Sequence, residues 1–173
     1  SARYIYSPTK IMDNIVSVSV GESHTVAVTA NGEAYGWGSN DEGQLGFVAN
    51  DGKNGMRKLM DNVVDAEAGD GFTLLVTEDG KVYASGDNGN GQFGLGNYRS
   101  YSNFTALPLR DIIAVEAGTG HALALSESGN AFAAGLNDSN QVSSNSDTRI
   151  NSFVTVNVSN VEKIIASEKS SVA

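Results

Sequence analysis

The chain has 173 residues, with 11 Lys and Arg against 20 Asp and Glu, two His, no Cys and a formal net charge of -9. An acidic chain with scattered basic residues repels phosphate backbones, which excludes nucleic acid as the expected partner, and the absence of Cys excludes disulfides, thiolate chemistry and cysteine-ligated zinc. No apolar run approaches the roughly 18 residues that cross a bilayer as a helix, so no membrane partner is expected.

Taken in order, residues 3–15 carry an extended pattern, Tyr4-Ile5-Tyr6, then Pro8 and a short apolar patch. The start lacks the apolar core of a signal peptide, which leaves a protein that stays inside or one whose targeting segment has been removed. From Val18 to Gly46 runs VSVGESHTVAVTANGEAYGWGSNDEGQLG. This stretch returns as Ala66–Gly94 and Val115–Ser143, and a further copy begins at Ile164. Gly21, Gly69, Gly118 and Ser167 register the copies at periods of 48, 49 and 49 residues, the mark of a tandem-repeat protein.

Within each copy Val18, Val20, Val26 and Val28, or Ala66, Ala68, Leu74 and Val76, or Val115, Ala117, Leu123 and Leu125, alternate with small or polar residues. Alternation with period two predicts strands, and no segment has helical spacing. Asn31-Gly32, Asp79-Gly80 and Ser128-Gly129 follow, and Asn-Gly or Asp-Gly between such runs predicts a tight hairpin of type I′. Next strands are expected at Ala34–Gly38, Val82–Gly86 and Ala131–Gly135. Each leads into a polar loop ending in Gln44-Leu45, Gln92-Phe93 or Gln141-Val142. Variable connections over 47–57, 95–106 and 143–153 then reach closing stretches at Lys58–Val63, Leu107–Ile112 and Val156–Val161, and residues 3–15 match these.

Four short strands in tandem units of this length predict an all-β chain of β-propeller blades. The expected division is a closing strand of a preceding blade over 1–15, complete blades over 16–63, 64–112 and 113–160, and the start of an incomplete blade over 161–173. Three blades with partial blades at both ends do not close a ring, so the chain is expected to be a fragment, or a subunit that self-associates through open blade edges.

The residues resemble the regulator of chromosome condensation repeat family. Its Gly-x-x-His followed by alternating apolar residues stands at Val115–Leu125 and Val18–Val28. Its Tyr-x-Trp-Gly-x-Asn-x-x-Gly-Gln-Leu-Gly is Tyr35, Trp37, Gly38, Asn40, Gly43, Gln44, Leu45 and Gly46. The pattern decays along the chain: Phe72 replaces His, Ser85 and Ala134 replace Trp, and Ser167 and Ser170 replace Gly and His in the fourth copy. Members are typically seven-bladed, so the resemblance implies about half of one.

His24 and His121 share one repeat position, and blade rotation fans such positions apart, so a structural role is expected and no metal or catalytic pair. Gly21, Gly69, Gly118, Trp37, Gln44, Gln92 and Gln141 are likewise structural repeat positions. Asp87-Asn88-Gly89-Asn90-Gly91 and Asn40-Asp41-Glu42-Gly43 invite comparison with calcium loops but lack the twelfth-position Glu and flanking helices. The glycines of 86–96 lack the Lys-Ser/Thr and helix of a phosphate cradle. No catalytic constellation, metal or cofactor is expected. Tyr98, Arg99 and Tyr101, with Phe47 and Arg57 in the equivalent first connection, are the candidates for gripping a protein partner. The competing structural reading packs Phe104 and one Tyr between blades.

The expected function is a non-enzymatic protein-protein interaction module whose partner the sequence does not identify. The resemblance implies two sharper alternatives, a guanine-nucleotide exchange factor for a small GTPase and a protein inhibitor of an enzyme such as β-lactamase. A propeller hydrolase or lyase is the alternative of another class, and it needs convergent acid, base or metal groups at the axis. The Asn-rich, Cys-free composition leans toward a bacterial protein, secreted or at the cell surface in preference to cytoplasmic.

Overall fold

The computed structural model describes residues 7–48, 55–144 and 147–173. Among them the alternating segments are all strands and no helix forms. β1 (Ile15–Val20), β2 (His24–Thr29), β3 (Ala34–Gly38) and β4 (Arg57–Met60) pair in chain order as one antiparallel sheet, blade 1. Blade 2 repeats this with β5 (Val63–Ala68), β6 (Phe72–Thr77), β7 (Val82–Gly86) and β8 (Tyr101–Ala106). Blade 3 has β9 (Ile112–Ala117), β10 (His121–Ser126), β11 (Ala131–Leu136) and β12 (Arg149–Thr155), and the fourth unit is the pair β13 (Ile165–Ala166) and β14 (Ser171–Val172). First strands of adjacent blades touch one another, β1 to β5, β5 to β9 and β9 to β13, which places them along the axis with the fourth strands outermost.

The hairpins between second and third strands differ from the type I′ expectation. Positive φ falls on Gly32, Gly80 and Gly129 alone, at 74°, 71° and 76°, and the preceding Asn31, Asp79 and Ser128 stay at negative φ. Gly32 N–H donates to Thr29 O at 2.9 Å and Thr29 N–H to Glu33 O at 3.0 Å, the geometry of a longer turn closed by one left-handed glycine. Hydroxyls at the base explain the extra length. Glu33 N–H donates to Thr29 Oγ1 at 3.1 Å, and Asn130 N–H to Ser126 Oγ at the same distance.

The closing strand of blade 1, Arg57–Met60, overlaps the expected Lys58–Val63, but those of blades 2 and 3 lie earlier than the apolar pattern indicates. Leu107–Ile112 is a link that carries Pro108, which has no N–H for a ladder, and Leu107 and Leu109 alternate because they turn into the core. The outer strand is the preceding Tyr101–Ala106, and likewise Arg149–Thr155 precedes Val156–Val161. At the start, residues 7–14 form no strand, and Tyr4, Ile5 and Tyr6 lie outside the described residues. Asn14, Asn62, Asp111 and Asn160 all take φ near 57°, a left-handed kink ahead of each inner strand. The hairpins of one blade then bond the next: Val63 N–H donates to Gly32 O at 2.8 Å, and Ile112 N–H to Gly80 O at 3.1 Å.

A four-stranded sheet with two apolar faces buries both only against neighbours, so the core lies between blades. Phe72, Leu74, Val76, Val82 and Ala84 of blade 2 pack with Val115, Ala122 and Ala124 of blade 3. Val26, Val28 and Ala34 meet Val63, Ala66 and Leu75 at the first junction, and Leu123, Leu125 and Ala133 meet Val161 and Ile164 at the third. The other face of blade 1 is open: Val18 is 56% and Val20 71% exposed, whereas the equivalent Ala66 and Ala68 are buried. Phe72→Ala is expected to cost ~3–5 kcal/mol in urea unfolding, against ~0.5 kcal/mol or less for Val18→Ala. A loss below ~1 kcal/mol for Phe72→Ala would show that the blade 2–3 cluster is not where stability is held.

Candidate functional site

Each inner hairpin begins with Gly-x-x-ring, and the glycine is required by space. A Cβ on Gly21 would sit 3.0 Å from the His24 ring, on Gly69 2.2 Å from Phe72, and on Gly118 2.2 Å from His121. The ring folds over that glycine and reaches the next blade. His24 Nε2 shares a hydrogen bond with Thr73 Oγ1 at 2.9 Å, and His121 Nε2 shares one with Ser171 Oγ at 3.0 Å. Where the ring is Phe72, the residue at that receiving position is Ala122, in the same apolar cluster. Ring and receiver therefore match: imidazole meets hydroxyl, benzene meets methyl. The two histidines serve different junctions, and no group of three or more His, Cys, Asp or Glu poised for a metal ion occurs among the described residues.

The loops after the third strands share one internal frame. Asn40 Oδ1 accepts Leu45 N–H at 2.8 Å, Asn88 Oδ1 accepts Phe93 N–H at 2.9 Å, and Asn137 Oδ1 accepts Val142 N–H at 3.0 Å. Buried Gln44, Gln92 and Gln141 each use Oε1 to accept the N–H two residues earlier, from Glu42, Asn90 and Ser139. The Asn40 and Asn88 side-chain oxygens of the two stretches compared with calcium loops are thus spent on backbone. Gly43 and Gly91 sit at φ 81° and 80°, and Asn140, which tolerates that region, replaces them at φ 60° in blade 3. Glycine also admits the next blade: a Cβ on Gly46 would lie 2.2 Å from Phe104, and on Gly94 2.3 Å from Phe153.

Strand antiparallelism puts these loops on the same propeller face as the first-to-second-strand turns. The turns converge at one end of the axis around a cavity of about 460 Å³, lined by Gly21, Gly69, Gly118 and their neighbours Glu22, Asp70 and Glu168. A hydrogen bond to Asp70, together with its charge, holds the Glu22 carboxyl above its ordinary range.

The five partner candidates differ in exposure and in what they touch. Tyr98 is 47% exposed, and the Arg149 guanidinium of the next blade lies 5.0 Å over its ring. Arg99 is exposed, with its N–H on Asn97 Oδ1 at 2.9 Å. Tyr101 starts β8, packs 6.1 Å from Phe93 and bonds Asn97 Nδ2 through its hydroxyl at 3.2 Å, a structural position. Phe47 is half-buried beneath Arg57, 4.1 Å from its ring centre. Trp37 is half-buried on the open face of blade 1, on the same side as Val18 and Val20. Its blade 2 counterpart Ser85 instead donates to Gln44 O of blade 1 at 3.0 Å. The receiving hydroxyls Thr73 and Ser171, and Arg149, escaped the sequence reading because each gains its partner only from another blade.

Ring-on-glycine locks, Asn–Gln loop frames and radial four-stranded sheets define a partial β-propeller of tandem repeats. Residues 15–44, 63–92 and 112–141 match one profile of the Regulator of chromosome condensation (RCC1) repeat, and 31–76 and 79–125 match another. The chain belongs to the RCC1 repeat family. Human WBSCR16 superposes with a TM-score of 0.75 at 27% identity, over 87% of this chain and 41% of that one. Yeast RCC1 (Prp20) bound to Kap60 gives 0.79 at 22% identity, over 93% and 41%. Prp20p of Saccharomyces cerevisiae, studied with its binding to Gsp1p and histones, gives 0.76 at 24%, over 89% and 40%. The chain therefore spans about two-fifths of each relative's length, and the yeast likenesses speak for the fold alone.

Burial holds the His24 imidazole down to about 4, against the raising influence of the Phe72 backbone and the Asp70 charge. Since the unfolded chain binds this proton from 6.5 downward, the stability from neutral His24 is complete above pH 6.5 and is lost as pH falls toward about 4. His24→Phe is expected to flatten that acid slope in melts at stepped pH. His24→Phe and Thr73→Ala singly are expected to cost ~1–3 kcal/mol each, and the double variant to recover ~0.5 kcal/mol or more. Strict additivity would show that ring and receiver are not a matched pair.

Proposed function

We propose that this chain is a protein-binding module that works by contact and not by covalent chemistry. Its binding face is the one carrying the third-to-fourth-strand loops and the inner turns. The observation that carries this reading is the common Asn–Gln frame, which holds three loops of unlike sequence in one geometry. A rigid frame with variable residues between its fixed points displays side chains for recognition at little ordering cost. Tyr98 and Arg99 stand on the longest described loop as its exposed aromatic and cation. The yeast relative bound to Kap60, and its binding to Gsp1p and histones, support proteins as the partner class.

Both histidines and two of the axial carboxyls have structural work. The histidines join blades, and Asp65 and Glu116 hold backbone amides of the following blade. That supports a non-enzymatic role.

The test is affinity capture with wild-type chain beside Tyr98→Ala/Arg99→Ala, and beside Lys81→Ala/Arg110→Ala on the opposite face. A partner should be lost by the first pair, with affinity falling about five-fold or more, ~1 kcal/mol, and retained by the second, with thermal melts unchanged in both. Loss through the second pair alone would place the binding face on the other side.

A further inference from the structure

The inner strands carry carboxylates at matching or adjacent repeat positions, and each is built into a blade junction. Ser19 of β1 accepts the Ala68 N–H of β5 at 3.0 Å and donates its own hydroxyl to Glu67 Oε2 at 2.7 Å. Asp65, two residues earlier on β5, accepts Ala66 N–H at 3.0 Å with one oxygen and Val115 N–H of β9 at 2.9 Å with the other. Glu116 on β9 accepts Ala166 N–H of β13 at 3.3 Å. Three successive junctions are thus stitched along the axis by side chains of the preceding blade.

The stitching gathers like charges. Glu67 faces Asp65 on its own strand and Glu116 on β9; β1 offers it the uncharged Ser19, and the cation in this group, Lys163 ahead of β13, acts on Glu116. Half-buried carboxylates on neighbouring strands repel one another unless one is neutral or the channel admits water.

We propose that Glu67, set between Asp65 and Glu116, is a proton-operated latch on the propeller axis: neutral, it keeps the junctions of blade 2 with blades 1 and 3 closed, and its ionisation loosens them. Burial, with the charges of Glu116 and Asp65, pushes the Glu67 carboxyl from 4.5 up to about 7, and the Ser19 hydroxyl pulls the other way. Asp65 and Glu116 are raised as well, both chiefly by burial. A carboxyl that keeps its proton longer folded than unfolded gives a folded state that binds the extra proton between those two values. Stability is therefore lost as pH rises through that window, with the full cost present above about 7. This runs opposite to the His24 effect, so the two are separable by direction.

The test is native-state amide hydrogen exchange of the whole chain between about pH 5.5 and about pH 8.5, corrected for intrinsic rates, reading the amides of Ala68 and Val115. The opening equilibrium at both is expected to rise roughly ten-fold across the window in the wild type and to stay flat in Glu67→Gln. Glu116→Gln removes a neighbouring charge and is expected to move the wild-type transition to lower pH. Equal pH profiles in wild type and Glu67→Gln would overturn the latch. If Glu67→Gln does not fold, an unmoved transition in Glu116→Gln would overturn it equally.

Discussion

Two-sided burial is the constraint on which this structure depends. Each sheet is apolar on both faces, so no blade satisfies itself, and what decides the fold is how one blade meets the next. That meeting is organised at the inner turn, where a glycine without a side chain lets an aromatic ring lie across the backbone and reach over the junction. The residue received there is chosen to suit: Thr73 and Ser171 for imidazoles, Ala122 for Phe72. Buried polar groups are costly alone and tolerable in pairs, so ring and receiver are constrained to change together. The Phe72 junction is a self-consistent apolar version of the lock and not a damaged one.

The same economy shapes the outer loops. Once Asn and Gln side chains satisfy the loop amides from within, the residues between them are released from structural duty. Loop sequence can then vary while loop geometry is kept, which is what a recognition surface requires. The aromatic residues divide accordingly. Tyr101, Phe104 and Phe153 are consumed by packing, whereas Tyr98, though covered partly by Arg149, still presents nearly half its surface.

Along the axis the economy is reversed. An amide of each later inner strand is satisfied by a side chain of the previous blade, but two of those side chains, Asp65 and Glu116, carry carboxyl groups, and Glu67 beside them adds a third, so concentrating them creates repulsion that hydrogen bonding only partly offsets. Such a site is stable in one protonation state and strained in another. His24 adds stability and the Glu67 carboxyl removes it as pH rises, over ranges that largely overlap, so the two titrations oppose each other at the blade junctions.

The sequence by itself determined the repeat, its 48- and 49-residue periods, the all-β blades and the hairpin positions. All of these follow from local periodicity and turn chemistry, which operate within a few residues. It misplaced the closing strands of blades 2 and 3, because Leu107 and Leu109 alternate whether a segment pairs in a sheet or merely lines a core. It also expected two left-handed residues in hairpins that use one, since the hydroxyls of Thr29 and Ser126 lengthen the turn from its base. Only the tertiary structure decided that Thr73 receives His24, that Arg149 covers Tyr98 and that Asp65, Glu67 and Glu116 share one axis. Apart from Asp65 and Glu67, which share β5, those partners lie about one repeat apart in the chain, and the rotation between blades, which no local pattern encodes, is what brings them together.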